Sequence, residues 1–313
     1  MRKPFNIDFV GPLKVYLCIS FGIVFIGLVC NIIFGTAMDV SFKGGTVLSY
    51  SYTGAVDLDK VTASSRTVLG NDAIAAFEDI NNTKVVTVTL ASSISTTQQT
   101  DMLAGLQKAF PNNKITLFQS NTLNATMGQM FFIKCVLTIV LASFFLMIYV
   151  GLRFRKIGGM SAGAMGLLGL LHDIVVIYFI FIIFRIKLDE NFVAVVLAIL
   201  GSSLNDTVVI FDRIRENRRK LEKTMPIYDV VNKSINQTFT RTINTALCLL
   251  VTLAVITVVA VIMHIDSIIS FSVPMMFGTV SGFYSTVCLS TPLWVRWMQR
   301  KQKKELALKA KKA

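Results

Sequence analysis

Long apolar runs alternate along the chain with short polar segments and one longer segment of mixed character. A helix needs about 20 mainly apolar residues to cross a bilayer. Six runs reach that length, at 15–35, 129–151, 159–184, 191–211, 242–263 and 267–295. Of the 313 residues, 53% are hydrophobic and 16% are charged, below the roughly 25% charged residues of soluble proteins. The pattern predicts an α-helical integral membrane protein with six transmembrane helices.

Basic residues predict how these helices are oriented. The segments between runs at 1–14, 152–158, 212–241 and 296–313 contain 22 of the 31 Lys and Arg residues. Because cytoplasmic loops carry the excess of Lys and Arg, we expect both termini to be cytoplasmic in a multi-pass protein of the cell membrane. The first run is longer than the roughly 7–15 apolar residues of a signal peptide, so we expect a retained anchor.

The mixed segment predicts a small folded domain. Alternating apolar residues at 46–53 and 83–90 indicate strands, and two helical patterns and two shorter strands complete the order β-α-β-β-α-β, a ferredoxin-like α+β arrangement. We expect this domain to be extracytoplasmic, between the first and second helices. The predicted organisation is an N-terminus with first helix, the domain, a five-helix bundle and a basic cytoplasmic tail, at 1–37, 38–127, 128–298 and 299–313.

The composition argues against disulfide bonds, a metal or cofactor site, and nucleic acid binding. The five cysteines lie within apolar runs, which indicates packing rather than disulfides. Two histidines without carboxylates at ligand spacing make a metal site improbable, and we expect no cofactor. The net charge of +13 and the basic tail suit anionic lipid headgroups, or docking on a ribosome or partner protein, and give no argument for nucleic acid binding.

One carboxylate inside an apolar run is the sharpest candidate for function. Asp206 lies between Asn205 and Thr207, and Ser202 precedes it by one helical turn. An ionisable group in hydrocarbon costs at least about 2.5–3.5 kcal/mol, so it marks a proton or ion site by default. The alternative is a protonated Asp that makes helix–helix hydrogen bonds. Arg241 opens the next run and is either the charge partner of Asp206 or a snorkelling interfacial residue.

A second polar pair lies in the third run, where His172 and Asp173 point about 100° apart on a helix. They are weaker candidates for a proton relay or an interface, or a hydrogen-bonded packing site. Two aspartates within apolar runs could indicate an intramembrane aspartyl protease, but the Gly-x-Gly-Asp motif is absent and we expect no enzyme. Small residues at four-residue spacing predict close helix packing at Gly159, Gly163, Gly278 and Gly282.

The stretch SLNDTVVIFDRIREN (203–217) closely resembles the fourth-helix motif of SecF-type subunits in the SecD/SecF family of the resistance-nodulation-division superfamily. Further stretches similar to the family follow in its order along the chain. They are SFKGGT (41–46), IYVGLRF (148–154), LLHD (170–173), NQTFTRTINT (236–245) and GFYST (282–286). The resemblance covers nearly the whole sequence.

The resemblance implies a half-transporter that acts with SecD beside the SecYEG channel, often with YidC, and uses the proton motive force to draw exported polypeptide outward after the ATP-driven SecA step. Asp206 would bind and release the proton, and Arg241 would adjust the pKa of Asp206. Asn205 and Thr207 would orient the Asp206 carboxyl. Sodium could replace the proton. Two alternatives remain, a scaffold joining SecD, YidC and SecYEG without proton transport, and a small-solute exporter of the same superfamily.

Overall fold

The computed structural model describes residues 7–70, 73–80, 83–123, 125–155, 159–221 and 225–310. Within these ranges six helical segments are long and apolar enough to cross a membrane. They are α1 (Leu13–Phe34), α5 (Ala125–Arg153), α6 (Gly159–Ile183), α7 (Glu190–Leu221), α8 (Ile227–Ile262), and a run that joins α9 (Asp266–Tyr284), a π-helical segment (Ser285–Ser290) and α10 (Thr291–Ala310). The chain is a multi-pass membrane protein, as the apolar runs predict.

The helices α7 and α8 extend well beyond the ends of their apolar runs that face each other in sequence. α7 continues past the predicted end to Leu221, and α8 begins well before the predicted start, at Ile227. Polar contacts join the two extensions: Nδ2 of the buried Asn217 donates to Ser234 Oγ at 2.9 Å and to Gln237 Oε1 at 2.8 Å. The extensions therefore form a helical hairpin beyond the apolar runs, and hydropathy alone could not place its ends.

The six segments differ in how far they are enclosed. α6 packs against α1, α5, α7 and α9, and half of its apolar window is buried inside the protein. In contrast, α1, α5 and α8 expose most of their apolar side chains on the outer surface. Side chains of α6 therefore lie at the centre of the bundle, while α8 presents a face to lipid or to another subunit.

Glycines allow three of the helix contacts to be close. A Cβ on Gly163 would lie 3.1 Å from the carbonyl oxygen of Met147 in α5, and a Cβ on Gly278 would lie 2.7 Å from Cγ1 of Ile199 in α7. Gly282 approaches α7 in the same way, one turn further along α9. Gly159 begins α6, but its surroundings lie outside the described residues. These contacts are within one chain, so they hold the bundle itself together.

The mixed segment folds as a four-stranded sheet with two helices. Its elements are β1 (Gly45–Ser51), α3 (Leu58–Leu69), β2 (Ile74–Ile80), β3 (Thr83–Leu90), α4 (Thr96–Ala109) and β4 (Thr116–Leu123). The strand order is β2-β3-β1-β4, and all neighbouring strands are antiparallel. Leu48 and Tyr50 from β1, Val86 and Val88 from β3, and Met102 from α4 are fully buried in one core. The predicted order of strands and helices is confirmed.

A short helix seats this domain on the bundle. In α2 (Val40–Lys43), the ring of Phe42 packs on the rings of Phe131 and Phe132 near the start of α5. The backbone of Asp39 donates to the carbonyl of Leu188, in the turn between α6 and α7. The connection from α1 to the sheet is therefore fixed to two other parts of the bundle.

The first described residues are fastened to the extension of α8. The backbone N–H of Ile7 donates to Asn236 Oδ1 at 2.9 Å, and that of Phe9 donates to Asn232 Oδ1 at 2.8 Å. The hydroxyl of Tyr228 donates to both carboxylate oxygens of Asp8 at 2.7 Å. We refer to residues 7–11 as the N-terminal clip. It ties the start of α1 to the hairpin at the same end of the bundle.

Tyr228→Phe is expected to loosen the N-terminal clip. The Tyr228 hydroxyl, followed by the N–H groups of Gly11 and Val10, holds the pKa of Asp8 below its ordinary value. Because its pKa is lowered when the N-terminal clip is docked on α8, the Asp8 carboxyl stabilises the docked clip above about pH 4. That stabilisation is lost as pH falls through the pKa of Asp8 in the docked clip. At neutral pH we expect amide hydrogen exchange at Ile7 and Phe9 to rise about two- to tenfold. Acid should change docking less in the variant than in the wild type. Unchanged exchange would contradict this account of the clip.

Candidate functional site

Asp206 lies at a small cavity between three helices. The cavity has a volume of about 50 Å³, and a water needs roughly 10–15 Å³ of such space. α7 lines it with Ser202, Ser203, Asn205 and Asp206, α8 with Thr245, Ala246 and Leu249, and α9 with Thr279, Gly282 and Phe283. The carboxyl is partly buried. It therefore borders a small space with both polar and apolar walls that can take water, within the apolar part of its helix.

Arg241 lies on α8, which packs against α7 as the charge-partner hypothesis requires. Its positive charge acts on the carboxyl of Asp206. Among the described contacts, however, no hydrogen bond or ion pair within 4.0 Å joins these two side chains. The Arg241 side chain is exposed on the surface of the chain. The arrangement permits electrostatic influence on Asp206 and leaves the guanidinium accessible to another subunit.

The neighbours of Asp206 on α7 do not hold its carboxyl. The buried Thr207 donates its hydroxyl to the carbonyl of Ser203 at 3.0 Å and lies 3.2 Å from Thr286 Oγ1. Asn205 is exposed. In the described structure neither residue hydrogen-bonds Asp206, and Thr207 connects α7 with the π-helical segment. An orienting role for Asn205 and Thr207 at the carboxyl stays a prediction.

Asp173 is the fully enclosed carboxyl of the bundle. It is 0% exposed. Three serine hydroxyls donate to it: Ser203 of α7 to Oδ2 at 2.9 Å, Ser281 of α9 to Oδ1 at 2.7 Å, and Ser285 to Oδ2 at 2.8 Å. No Lys or Arg side chain of the described residues pairs with it. Sequence reasoning ranked Asp173 below Asp206, but its contacts join α6, α7, α9 and the π-helical segment.

His172 and Asp173 meet despite pointing in different directions along α6. The Nδ1 atom of His172 lies 3.4 Å from Asp173 Oδ1. Its other ring nitrogen, Nε2, is buried without a hydrogen-bond partner in the part of the chain that is described. The ring lies 5.9 Å from that of Tyr284, whose hydroxyl donates to the carbonyl of Tyr16 in α1. His172 therefore lies between the Asp173 contacts and α1.

Two of the serines that donate to Asp173 lie where α9 meets the π-helical segment. Ser281 and Ser285 are one helical turn apart, and the widened turn begins at Ser285. Such widened turns occur often at functional sites. A Cβ on Gly282 would lie 3.1 Å from Cβ of Ser203, so any side chain there would displace Ser203. The small residues of this stretch therefore fix the distance between α9 and α7 at Asp173.

The charges that follow Asp206 on α7 are ordinary interfacial ones. The carboxylate of Asp212 pairs with Arg153 at 3.2 Å and with Arg215 at 2.7 Å. All three side chains are about a third or more exposed to solvent in this chain. Exposed pairs of this kind contribute at most about 1 kcal/mol. Asp212 is thus a natural comparison for Asp206.

Comparison with known proteins decides the family. Residues 101–300 match the family described as protein export membrane protein SecD/SecF, C-terminal. The chain belongs to the SecD/SecF family of protein-export membrane proteins. It is 31% identical to the protein translocase subunit SecF of Alicyclobacillus acidocaldarius, with 96% of each chain covered. This membership makes it an accessory membrane subunit of the Sec protein translocase.

Two other SecD/SecF relatives are longer single chains. The protein translocase subunit SecDF of Bacillus subtilis is 26% identical over 96% of this chain and 39% of its own length. The crystal structure of SecDF from Thermus thermophilus, a translocon-associated membrane protein, has a TM-score of 0.77 at 22% identity. It covers 95% of this chain, which spans 39% of that one. The fold is thus that of one part of a larger membrane assembly in these relatives.

Proposed function

We propose that this chain forms one half of a proton-driven accessory unit of the Sec translocase, with a SecD-type subunit as the other half. Both termini and the basic tail would be cytoplasmic, and the sheet domain would be a ferredoxin-like extracytoplasmic domain. The working boundaries are 1–37, 38–127, 128–298 and 299–313. The unit would act beside SecYEG, with YidC nearby, on exported polypeptide. Its work is transport, and we propose no catalysed reaction.

The observation that carries the proton role is the position of Asp206. Its carboxyl lines a cavity with both polar and apolar walls, within the apolar part of α7. Burial of a carboxyl favours its neutral form, and a positive charge such as that of Arg241 on the adjoining helix favours the carboxylate. A conformational change that alters either influence would bind or release a proton. Asp206 is therefore the proposed proton carrier, and Arg241 is the proposed group that biases it.

Exposed polar side chains support the need for a partner. Asn205 and Arg241 are exposed on helices that are apolar enough to cross a membrane. Exposed polar groups in hydrocarbon are costly, so they usually face a protein or a water-filled cavity. A SecD-type subunit on this surface would cover them. The SecDF relatives, in which this chain corresponds to 39% of one polypeptide, support that arrangement.

The two alternative functions, a scaffold and a small-solute exporter, predict different experimental results. A scaffold without proton transport predicts that Asp206 is dispensable and that the face at Gly159 and Gly163 holds the assembly together. Gly163 packs against α5 of the same chain, so substitution there would disturb this bundle first. A small-solute exporter would carry solute without any translocating polypeptide. The match to protein-export subunits favours the first proposal over the solute exporter, and the export phenotype of Asp206→Asn separates it from the scaffold.

Co-isolation from native membranes tests the proposed assembly. We expect a tagged form of this chain to recover a SecD-type subunit in about equal amount, as the two-part relatives imply. Asn205→Trp, beside Asp206, should reduce that recovery. Ile32→Trp should not, because Ile32 is 84% exposed on α1, away from the polar surface. Recovery of this chain without any SecD-type protein would contradict the proposal.

A further inference from the structure

The cavity at Asp206 and the contacts of Asp173 share one residue. Ser203 lines the cavity and also donates its hydroxyl to Asp173 Oδ2 at 2.9 Å. Ser281 and Ser285 also donate to Asp173 but are not among the cavity-lining residues. The only described hydroxyl that connects the two carboxyls in this way is therefore that of Ser203.

We infer that Asp173 is a second proton acceptor that exchanges protons with Asp206 through the cavity and Ser203. This inference rests on the proposed role of Asp206 and adds an internal destination for its proton. The destination is a carboxyl with 0% exposure, at the junction of four helical segments. Protonation there would act directly on the packing of α6, α7 and α9.

The proposed proton transfer from Asp206 to Asp173 needs only one water and the Ser203 hydroxyl, and its protons and charges balance. The Asp206 acid gives its proton to a water in the cavity, and that water gives a proton to Ser203 Oγ. The Ser203 hydroxyl then releases its own hydrogen to Asp173 Oδ2. Asp206 ends as a carboxylate and Asp173 as a neutral acid, while Ser203 and the water are unchanged. One proton moves inward, and the negative charge moves from Asp173 to Asp206.

The hydroxyls around Asp173 can accommodate both of its charge states. A serine hydroxyl is both a donor and an acceptor, and it rotates to suit its partner. When Asp173 is neutral, Ser285 has another acceptor in the carbonyl of Gly282 at 3.2 Å, and Ser203 has Thr286 Oγ1 at 3.5 Å. Because these alternatives exist, protonation need not leave buried hydroxyls unpaired.

His172 is the titratable side chain that faces Asp173 directly. Its Nδ1 lies 3.4 Å from Asp173 Oδ1, on the side away from Ser203. From α7, α9 and the π-helical segment, the described groups in contact with Asp173 are serine hydroxyls. Tyr284 faces the ring of His172 rather than Asp173. Among the described residues, His172 is thus the titratable side chain in direct contact with Asp173.

Infrared spectroscopy of the full chain in lipid, with its partner when co-isolated, tests this inference. Protonated carboxyls have a distinct C=O band, and Asp173→Asn and Asp206→Asn identify the two contributions. After a jump to acid pH, we expect Ser203→Ala to slow the appearance of the C=O band of protonated Asp173. The rate should fall by at least about tenfold, equivalent to about 1.4 kcal/mol. Ser281→Ala, which removes a hydroxyl from the same carboxyl but lies outside the cavity, should slow the appearance of that band much less than Ser203→Ala does. The midpoint of thermal unfolding should fall by a similar amount in both variants, because each removes one hydrogen bond to the same carboxyl.

Two results would overturn the inference. One is an Asp173 band that does not change between about pH 3 and 9, a range that spans the ordinary pKa values of Asp and His. The other is equal slowing by Ser203→Ala and Ser281→Ala. Neither result bears on whether Asp206 is required for export, so the proposed function could still stand. Loss of the Asp206 requirement would instead overturn the proposed function.

Discussion

Asp206→Asn is expected to remove the gradient-dependent part of protein export while the subunit still folds and assembles. Asn has nearly the shape of Asp and keeps the polar wall of the cavity, but it cannot bind or release a proton at this position. We expect export driven by the proton gradient to fall by at least about tenfold, to the level seen when the gradient is collapsed. Export into membrane vesicles, with and without an uncoupler, measures this.

Asp212→Asn is the matched control for that substitution. Asp212 lies on the same helix, but its carboxylate pairs with exposed Arg153 and Arg215. Such pairs contribute little to stability, about 0–1 kcal/mol, so export should remain near the wild-type level. Equal losses for both variants would indicate a general effect of charge on α7. Full gradient-dependent export by an assembled Asp206→Asn complex would favour the scaffold.

Gly278→Ala is expected to destabilise the bundle by about 1–3 kcal/mol, the usual cost of overpacking. The added Cβ would lie 2.7 Å from Cγ1 of Ile199 and 3.4 Å from Cγ1 of Ile177. Both isoleucines are fully buried, so neither side chain can move into open space. The α7 and α9 backbones would have to separate. Thermal unfolding of the purified chain, followed by circular dichroism, should show a lower midpoint.

Gly201→Ala provides the opposite case on α7. No atom outside its own helical turn lies within 4 Å of a Cβ placed at Gly201. Alanine favours a helix over glycine by about 1 kcal/mol, so this variant should be as stable as the wild type or more stable. If both variants lower the midpoint equally, the close contact at Gly278 does not determine the packing of α9 on α7.

The sequence draws attention to Asp206 more than to Asp173, for a physical reason. A carboxylate within an apolar run can be recognised from the sequence alone, whatever the helix packs against in the fold. The proposed role of Asp173 depends on hydroxyls from two regions far apart in sequence, one with Ser203 and the other with Ser281 and Ser285. Serine is common within membrane helices, so none of these residues is unusual alone. A signal was present in the small residues around Gly282, which allow α9 to approach α7.

Side-chain periodicity predicts the sheet domain because apolar side chains alternate along β1 and β3 and enter one core. Leu48 and Tyr50 alternate with more polar residues, and both enter the core. The helical hairpin made by the ends of α7 and α8 has no such signal. It is held by contacts such as that of Asn217 with Ser234, which apolar patterning does not register. Prediction from hydropathy therefore gives the number of spans but not the full lengths of the helices.

Proton flux through the reconstituted complex tests the role of Asp206 most directly. This chain and its SecD-type partner are placed in liposomes that contain a pH-sensitive dye, and a pH gradient is imposed. We expect wild-type and Asp212→Asn complexes to acidify the lumen at similar rates, and the Asp206→Asn complex to match protein-free liposomes. Wild-type flux through the Asp206→Asn complex would contradict the assignment of Asp206 as the proton carrier.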